Sequence, residues 1–445
     1  MSTFAAQSTY KKADLAAGHP TSQVSTGRDW IGYWLTVLYL WLLPIQRLML
    51  PFGLTVADLV LILLTLYSFG RAWRTHRRLN FPLLLPMWLI LLSSLIATLV
   101  GFAHPDSIIA IVQEIYIFVW FLALTNLLRT FPPSDLDRLL KVWCVVACLE
   151  SVTTLMGMFR VGPSAFYIKP TLDPHTMRDP STGADLTRSI GTFVNANAVG
   201  VYLSVSFFAL LATSWPIWLR LTLGGWIFAG MFGTGSNGAL LSTAGSFVLL
   251  VGVYLIVQNR RDIKLLGAVM GMGMGIAAVV LFMLGFSPSL LSGVGLDARD
   301  PLLFQTLGRV SHSLATRLDI GAWAWETYRR HLWGTGPNSF ASLGGSLHSD
   351  YIAFWFERGP LGIIGWLWLI GATLLRSLQV VSQLVDRHRR WQVLALGAGF
   401  LACAMNAFTH EVSHMRQVWT LLVFLFALSY ANIAHQATHS QDDAG

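Results

Sequence analysis

Charged residues are scarce in this chain, because Asp, Glu, Lys and Arg together make up only 12% of its 445 residues. Soluble domains carry about 25% charged residues, so this scarcity excludes an ordinary globular protein with a solvated surface. Cysteine is rarer still. The three cysteines, Cys144, Cys148 and Cys403, lie within apolar segments and lack the spacing of metal ligands, which indicates packing rather than redox or zinc chemistry.

Long apolar segments make up most of the chain. Hydrophobic residues account for 54% of the sequence, with 18 Trp and 26 Phe. A helix needs roughly 17–25 apolar residues to cross a bilayer. Twelve segments meet or nearly meet this length, at 31–50, 54–69, 81–103, 107–128, 138–158, 189–213, 217–232, 238–257, 265–286, 359–380, 391–409 and 415–434. The sequence therefore predicts an all-α polytopic membrane protein with about 12 transmembrane helices.

Basic residues are concentrated in four short connections between these segments, at 71–78, 129–141, 260–264 and 376–390. Because the basic residues are spread over separate short loops, they argue against a nucleic-acid interface, although the formal net charge is +8. All four connections fall on one side of the predicted membrane topology. The positive-inside rule makes that side cytoplasmic, so we expect both termini in the cytoplasm.

The predicted organisation has five parts. Residues 1–30 are a polar cytoplasmic tail, because no small-residue cleavage site follows the first apolar run. Residues 31–286 contain transmembrane helices 1–9, with an outward loop at 159–188. Residues 287–358 form a large outward loop, residues 359–434 contain helices 10–12, and residues 435–445 are a cytoplasmic tail.

Polar residues gather on the outward side of this topology. The run Arg317 to Leu332 predicts an amphipathic helix at the outer membrane surface. Arg188, Arg317 and Arg416 belong to three separate outward connections, and guanidinium groups bind phosphate bidentately. Since ionisable groups near a bilayer tend to face a cavity or one another, we expect an outward basin that binds an anionic, lipid-linked compound. By contrast, Glu114 and Glu150 are expected to be hydrogen-bonded packing groups.

Four stretches in this order carry a family resemblance: "RSIGTFVNANAVG" from Arg188, "RLDIGAWAWE" from Arg317, "WGTGPNSF" from Trp333 and "HSDYIAFWFERGPLGIIG" from His348. Together they resemble the bacterial O-antigen ligase and Wzy-type polysaccharide polymerase superfamily. The resemblance covers residues 188–362. One departure is clear: many members have Ser-Arg-Gly where this chain has Ser236, Asn237 and Gly238, so the role of that arginine is not carried over.

The resemblance implies a GT-C-like membrane glycosyltransferase in the bacterial inner membrane, with its active site on the periplasmic side and no cofactor or metal. It would transfer a glycan from undecaprenyl diphosphate to an acceptor hydroxyl. The donor lipid, an acceptor glycan or lipid A core, membrane lipids and other polysaccharide assembly proteins are the expected partners. Polymerisation of exopolysaccharide or O-antigen units is favoured slightly over O-antigen ligation to lipid A core.

Three residues are the expected catalytic groups. Arg188 and Arg317 would stabilise the leaving diphosphate, and His348 would act as general base. Glu357 would orient His348 only along a bent path, because nine residues exceed two turns of a continuous helix. The expected substrate-binding residues are Arg188, Arg317, Asn195, Asn197, Asp350, Glu357, His410, His414 and Arg416.

Three other motifs or classes compete with this interpretation. "HEVSH" at His410 to His414 matches the H-E-x-x-H signature of zinc proteases, but no third ligand is placed to complete the site. "GTGSNG" from Gly233 matches a dinucleotide-binding pattern without the preceding strand that such a site requires. A transporter of lipid-linked sugars would have the same composition, but the chain shows no internal repeat.

Overall fold

The structure is a computed structural model that describes residues 29–48, 54–101, 105–159, 161–163, 188–258, 325–326, 329, 331–342 and 347–442. These residues form eleven helices of 13 residues or more and one short helical turn. In chain order they are α1 Trp30–Leu42, α2 Val56–Arg74, α3 Leu84–Val100, α4 Pro105–Leu128, α5 Pro133–Met158, α6 Ala196–Leu211, α7 Ile217–Gly233, α8 Asn237–Gln258, α9 Ser339–Ser342, α10 Asp350–Gln383, α11 Arg387–Asn406 and α12 Arg416–Asp442.

Six helices are long and apolar enough to cross a membrane, namely α2, α4, α5, α8, α10 and α12. The helices α1, α3, α6 and α7 are apolar but shorter. Many large apolar side chains lie exposed on the helix surfaces, such as Leu66, Leu99 and Leu375. An apolar exterior of this kind is costly in water and suits contact with lipid, so the described residues indicate a helical membrane protein.

Eleven of the twelve predicted segments coincide with a helix. The first helix is shorter than predicted and ends at Leu42, before the Pro44 that cannot continue it. The remaining segment, 265–286, lies outside the described residues, as do most of the predicted outward loops and Arg317. Most of the helix predicted over 317–332 also lies outside the described residues.

The core lies around α12, in which 83% of the membrane-length window is buried. Large side chains from α5, α6, α11 and α12 are fully buried there, among them Trp143, Tyr202, Phe400 and Phe424. The rings of Trp143 and Phe424 lie 5.8 Å apart. The last helix of the chain is therefore the central one, and α4, α5, α6, α10 and α11 pack around it.

The N-terminal ends of α2, α4, α6, α8, α10 and α12 meet at one end of the assembly, which we call the site end. Gln417 at the start of α12 donates to the carbonyl of Ala198 in the first turn of α6, over 3.2 Å. At the start of α8, a Cβ added to Gly238 would lie 2.3 Å from Thr409 Oγ1.

Candidate functional site

Arg188 is held at the site end by two hydrogen bonds. Its Nη2 donates to Asn197 Oδ1 over 2.6 Å, and its Nε donates to the carbonyl of Thr234 over 3.2 Å. Asn195 is the N-cap of α6, where its Oδ1 accepts from the backbone N–H of Asn197 over 2.8 Å. The half-buried guanidinium is therefore fixed beside the first turn of α6.

The segment between Arg188 and α6 lies over a buried carboxyl group. Glu150 of α5 accepts from the backbone N–H of Thr192 over 3.0 Å and from its hydroxyl over 2.6 Å. Gly191 has φ +50°, and a Cβ there would lie 2.0 Å from Glu150 Oε1, so a larger residue does not fit. This confirms the expectation that Glu150 is a hydrogen-bonded packing group.

The segment "GTGSNG" joins α7 to α8, as the sequence predicts, and includes the Thr234 carbonyl that Arg188 contacts. Helix α8 begins at Asn237, still within this segment. The next residue, Gly238, lies close to Thr409. A continuous series of contacts therefore links Arg188 to the connection between α11 and α12, residues 407–415.

Helix α10 is broken at Gly359, which has φ +68° and ψ −165° and is followed by Pro360. In an unbroken helix, backbone N–H groups of the next turn would donate hydrogen bonds to the carbonyl groups before the break. The break removes these donors. Thr335 N–H donates to the carbonyl of Phe356 over 3.3 Å, and Gly336 N–H donates to that of Glu357 over 2.9 Å. The glycine-rich turn "WGTGPNSF" therefore supplies the partners that the broken helix lacks.

The side chain of Glu357 is directed to the same turn. Its buried carboxyl group accepts from the backbone N–H of Asn338 over 2.9 Å and from that of Phe340 over 3.4 Å. Its Oε2 also lies 3.3 Å from Arg358 Nη1. Glu357 thus positions residues 333–340 through both backbone and side chain, while its predicted contact with His348 stays a prediction.

Arg358 pairs with a carboxyl group of a neighbouring helix. Its Nε lies 2.9 Å from Glu114 Oε1 of α4, its Nη2 contacts the same oxygen, and its guanidinium stacks 4.5 Å from the centre of the Phe354 ring. Glu114 Oε2 accepts from Ser94 Oγ over 2.8 Å, which confirms that Glu114 is hydrogen bonded. Arg358 is not among the predicted site residues. The available signal is an arginine directly before an apolar segment, where an ionisable group near the bilayer tends to have a partner.

Asp350, the first residue of α10, is attached to the 407–415 connection. Its Oδ2 accepts from the backbone N–H groups of Val412 over 2.7 Å and Ser413 over 3.0 Å, and its Oδ1 accepts from the Ser413 hydroxyl over 2.7 Å. The adjacent His348 is exposed and has φ +51°, a left-handed backbone that few residues other than glycine adopt.

The stretch "HEVSH" lies in this connection and not within a helix. Two histidines four residues apart share one face only on a helix. Here His410 is buried, whereas His414 is exposed and lines a cavity. Desolvation lowers the pKa of His414 below its usual value. Among the described residues no group of three or more His, Cys, Asp or Glu side chains is placed to hold a metal ion, so the zinc-protease arrangement is not formed there.

Arg416 follows the same connection and is paired with a buried carboxylate. Its Nε lies 2.6 Å from Asp58 Oδ1 of α2, and its Nη2 contacts Asp58 Oδ2. Asp58 also accepts from the Tyr116 hydroxyl over 2.9 Å. The charge of Arg416 is therefore compensated, and the pair links the first turn of α12 to the first turn of α2.

A cavity of about 250 Å³ opens between α3, α4, α10 and the 407–415 connection. Its lining holds four carboxyl groups, one guanidinium and one imidazole. These belong to Glu114, Asp350, Glu357, Glu411, Arg358 and His414. The remaining wall includes four aromatic residues, Phe118, Phe354, Trp366 and Trp419. We call this space the acidic cavity.

Seven of the predicted site residues fall into two groups. Asp350, Glu357 and His414 line the acidic cavity, and His348 lies two residues before Asp350 in the chain. Arg188, Asn195 and Asn197 form the other group, beside the first turn of α6. His410 and Arg416 flank the cavity-lining part of the 407–415 connection, and Arg317 lies outside the described residues.

Comparison with models of known protein families finds no match to this chain, and comparison with curated proteins finds none either.

Proposed function

We propose that the chain is an inner-membrane glycosyltransferase with twelve transmembrane helices and a GT-C-like fold. It transfers a glycan from undecaprenyl diphosphate to an acceptor hydroxyl on the periplasmic side. One observation carries the proposal: two neighbouring stretches, 333–340 and 348–360, and the distant stretch 407–415 contribute to the lining of one cavity, at the end where Arg188 is held. Two of these stretches belong to the family resemblance.

The donor diphosphate is assigned to the Arg188 group. When the bond between the sugar and the diphosphate breaks, the leaving oxygen takes the electron pair and negative charge increases there. Arg188 is fixed by Asn197 and Thr234 before the reaction, so little reorganisation is needed to stabilise that charge. Arg317 is proposed as a second cation, and the nearby helix N-terminus of α6 adds partial positive charge.

The acceptor proton is assigned to His348. The acceptor oxygen attacks the anomeric carbon, the diphosphate departs, and the proton passes to the imidazole. His348 adopts a left-handed backbone conformation, which is unfavourable for most residues other than glycine. Such conformations cluster at functional sites. His414 is the imidazole that lines the acidic cavity, where its lowered pKa keeps it neutral and able to accept a hydrogen bond at neutral pH.

The test is an assay of the purified protein with an undecaprenyl-diphosphate glycan, with and without lipid A core, in the presence of a chelator. Longer glycans without added acceptor indicate a polymerase, which we favour, and transfer only to lipid A core indicates the alternative, an O-antigen ligase. Both products should be lost in His348→Ala and Arg188→Ala.

Loss of activity in chelator, or full activity in both variants, would contradict the mechanism. Movement of the lipid-linked glycan across vesicles without a new glycosidic bond would instead support a transporter. These outcomes separate the three classes because each is read from a different product.

A further inference from the structure

A small notch lies at the end of the assembly opposite the site end, between the last turns of α2 and α4 and the residues that follow them. Three arginines line it, Arg71, Arg77 and Arg129. None of the described residues in its lining carries a carboxyl group. The sequence places all three arginines in connections on the predicted cytoplasmic side. We call this space the basic notch.

The charges of these arginines are only partly balanced. Arg71 Nη1 contacts the carboxylate of Asp29. Arg129 Nη2 donates to the backbone carbonyl of Arg78, a neutral partner that leaves the charge uncompensated. The side chain of Arg77 makes no hydrogen bond or ion pair with another described residue. Two of the three guanidinium groups therefore lack a carboxylate partner in the part of the chain that the structure describes.

Arg77 and Arg129 lie near enough to affect each other. Burial lowers the pKa of Arg129 below its ordinary value, and the charge of Arg77 lowers it further. An anion bound between the two groups would relieve this repulsion. Each guanidinium has five N–H donors in a planar fork, and that geometry matches the oxygens of a phosphate.

The other basic residues at this end provide a comparison, since the positive-inside rule alone predicts basic residues here. Three of them each pair with a carboxylate close by in the chain. The pairs are Arg138 with Asp135, Lys141 with Asp137 and Arg389 with Asp386. The rule concerns the number of basic residues and does not require a local lack of acids. The basic notch therefore differs from its surroundings in a way that favours an external anion.

The surface beside the notch indicates its depth in the membrane. Trp73 directly follows the lining residue Ala72 and is 83% exposed. Exposed tryptophan is typical of the membrane–water interface. Leu66 lies seven residues before Trp73, on the same face of α2, and is also exposed. The notch is therefore expected at the level of lipid headgroups, next to apolar surface that acyl chains can cover.

The size of the notch limits what enters it. Its volume is about 20 Å³, and one water molecule needs roughly 10–15 Å³ of such space. A phosphate oxygen fits, whereas a nucleotide or a sugar ring does not. Most of the ligand must then lie outside the notch, as the body of a phospholipid does when its phosphate contacts a protein surface.

We propose that the basic notch binds the phosphate of an anionic phospholipid, with Arg77 and Arg129 donating to its oxygens and the acyl chains lying along α2. A zwitterionic headgroup would bring an ammonium group to the same arginines, so a lipid with net negative charge is preferred. This site is separate from the Arg188 group and does not depend on the proposed transfer reaction.

The experiment uses the full chain in detergent and counts bound lipids by native mass spectrometry. Phosphatidylglycerol and phosphatidylcholine with identical acyl chains are titrated in parallel, and phosphatidylglycerol should bind more tightly. Arg77→Gln should weaken phosphatidylglycerol binding about threefold to tenfold and leave phosphatidylcholine binding unchanged. Because Arg77 is exposed and has no partner among the described residues, the melting temperature of the lipid-free variant should equal that of the parent.

Arg138→Gln is the matched control, because it removes the same charge at the same end from an arginine that pairs with Asp135. It should leave phosphatidylglycerol binding unchanged. Inorganic phosphate, added at the concentration of the lipid, should not displace phosphatidylglycerol, because it lacks the acyl chains that contact α2.

Three results would overturn the inference. Equal affinities of the parent for the two lipids would show that the headgroup charge is not recognised. Equal effects of Arg77→Gln and Arg138→Gln would assign binding to the overall charge of this end and not to the notch. Displacement of phosphatidylglycerol by an equal concentration of inorganic phosphate would make the notch a site for free phosphate.

Discussion

Arg358 of α10 and Glu114 of α4 form an ion pair in the wall of the acidic cavity, with Nε and Oε1 2.9 Å apart and both side chains less than 15% exposed. Removing one partner of a buried pair leaves the other charge uncompensated. We expect Arg358→Ala to lower the free energy of unfolding by about 3–5 kcal/mol.

Thermal unfolding in detergent measures this change. The pair Arg138 and Asp135 is a matched control, because Arg138 is 57% exposed and Arg138→Ala should cost no more than about 1 kcal/mol. The double variant Arg358→Met with Glu114→Gln should regain part of the loss. Equal melting temperatures for Arg358→Ala and Arg138→Ala would contradict the burial of the pair.

Gly359 is expected to tolerate no side chain. An added Cβ would lie 2.7 Å from the carbonyl carbon of Trp333, and its φ of +68° is unfavourable for any other residue. Gly359→Ala should therefore destabilise the protein and expose residues 333–340 to protease. Gly371, within the same helix, is the control, because a Cβ added there would meet no atom within 4 Å. Gly371→Ala should be neutral or stabilising by up to about 1 kcal/mol.

His414 is expected to make stability depend on pH. Its pKa is lowered in the folded state, so below its ordinary value of about 6.5 the unfolded chain binds a proton that the folded chain does not. The contribution of His414 to stability therefore falls as pH decreases from about 6.5. Between pH 8 and pH 5, the melting temperature of the parent should fall by more than the melting temperature of His414→Gln. Parallel curves for the two proteins would contradict this.

The histidines at the site end should differ in their effect on transfer. His348→Ala removes the proposed base and should lower kcat by about 10²–10⁴-fold. His410 is buried beside the cavity-lining residues and has no proposed proton to move, so His410→Ala should lower activity less. Metal analysis of parent and His410→Ala should give no bound zinc in either. A larger loss in His410→Ala than in His348→Ala would reverse the assignment.

The sequence predicts helices and leaves long-range pairing undetermined. Apolar runs identify helices because each run must bury its backbone polar groups by itself, and eleven predicted segments coincide with helices. Pairs such as Arg416 with Asp58 are separated by 358 residues, and no local pattern specifies them. For this reason the sequence predicts that Arg416 binds substrate, whereas its main described partner is Asp58.

The predicted site illustrates the same limit at closer range. Asp350, Glu357 and His414 are recognisable by their chemistry, and all three line one cavity. The partners that make this cavity acidic and aromatic, Glu114 and Trp366, come from separate helices and could be recognised only from their packing.

The pair of Arg416 with Asp58 also has a consequence for biosynthesis. Asp58 is fully buried in α2, and its cationic partner Arg416 is the first residue of α12. During membrane insertion the Asp58 carboxylate meets the Arg416 guanidinium only after nearly the whole polypeptide has been synthesised. Assembly is therefore completed by the C-terminal helix, and a chain that stops before α12 leaves the Asp58 carboxylate without its cation.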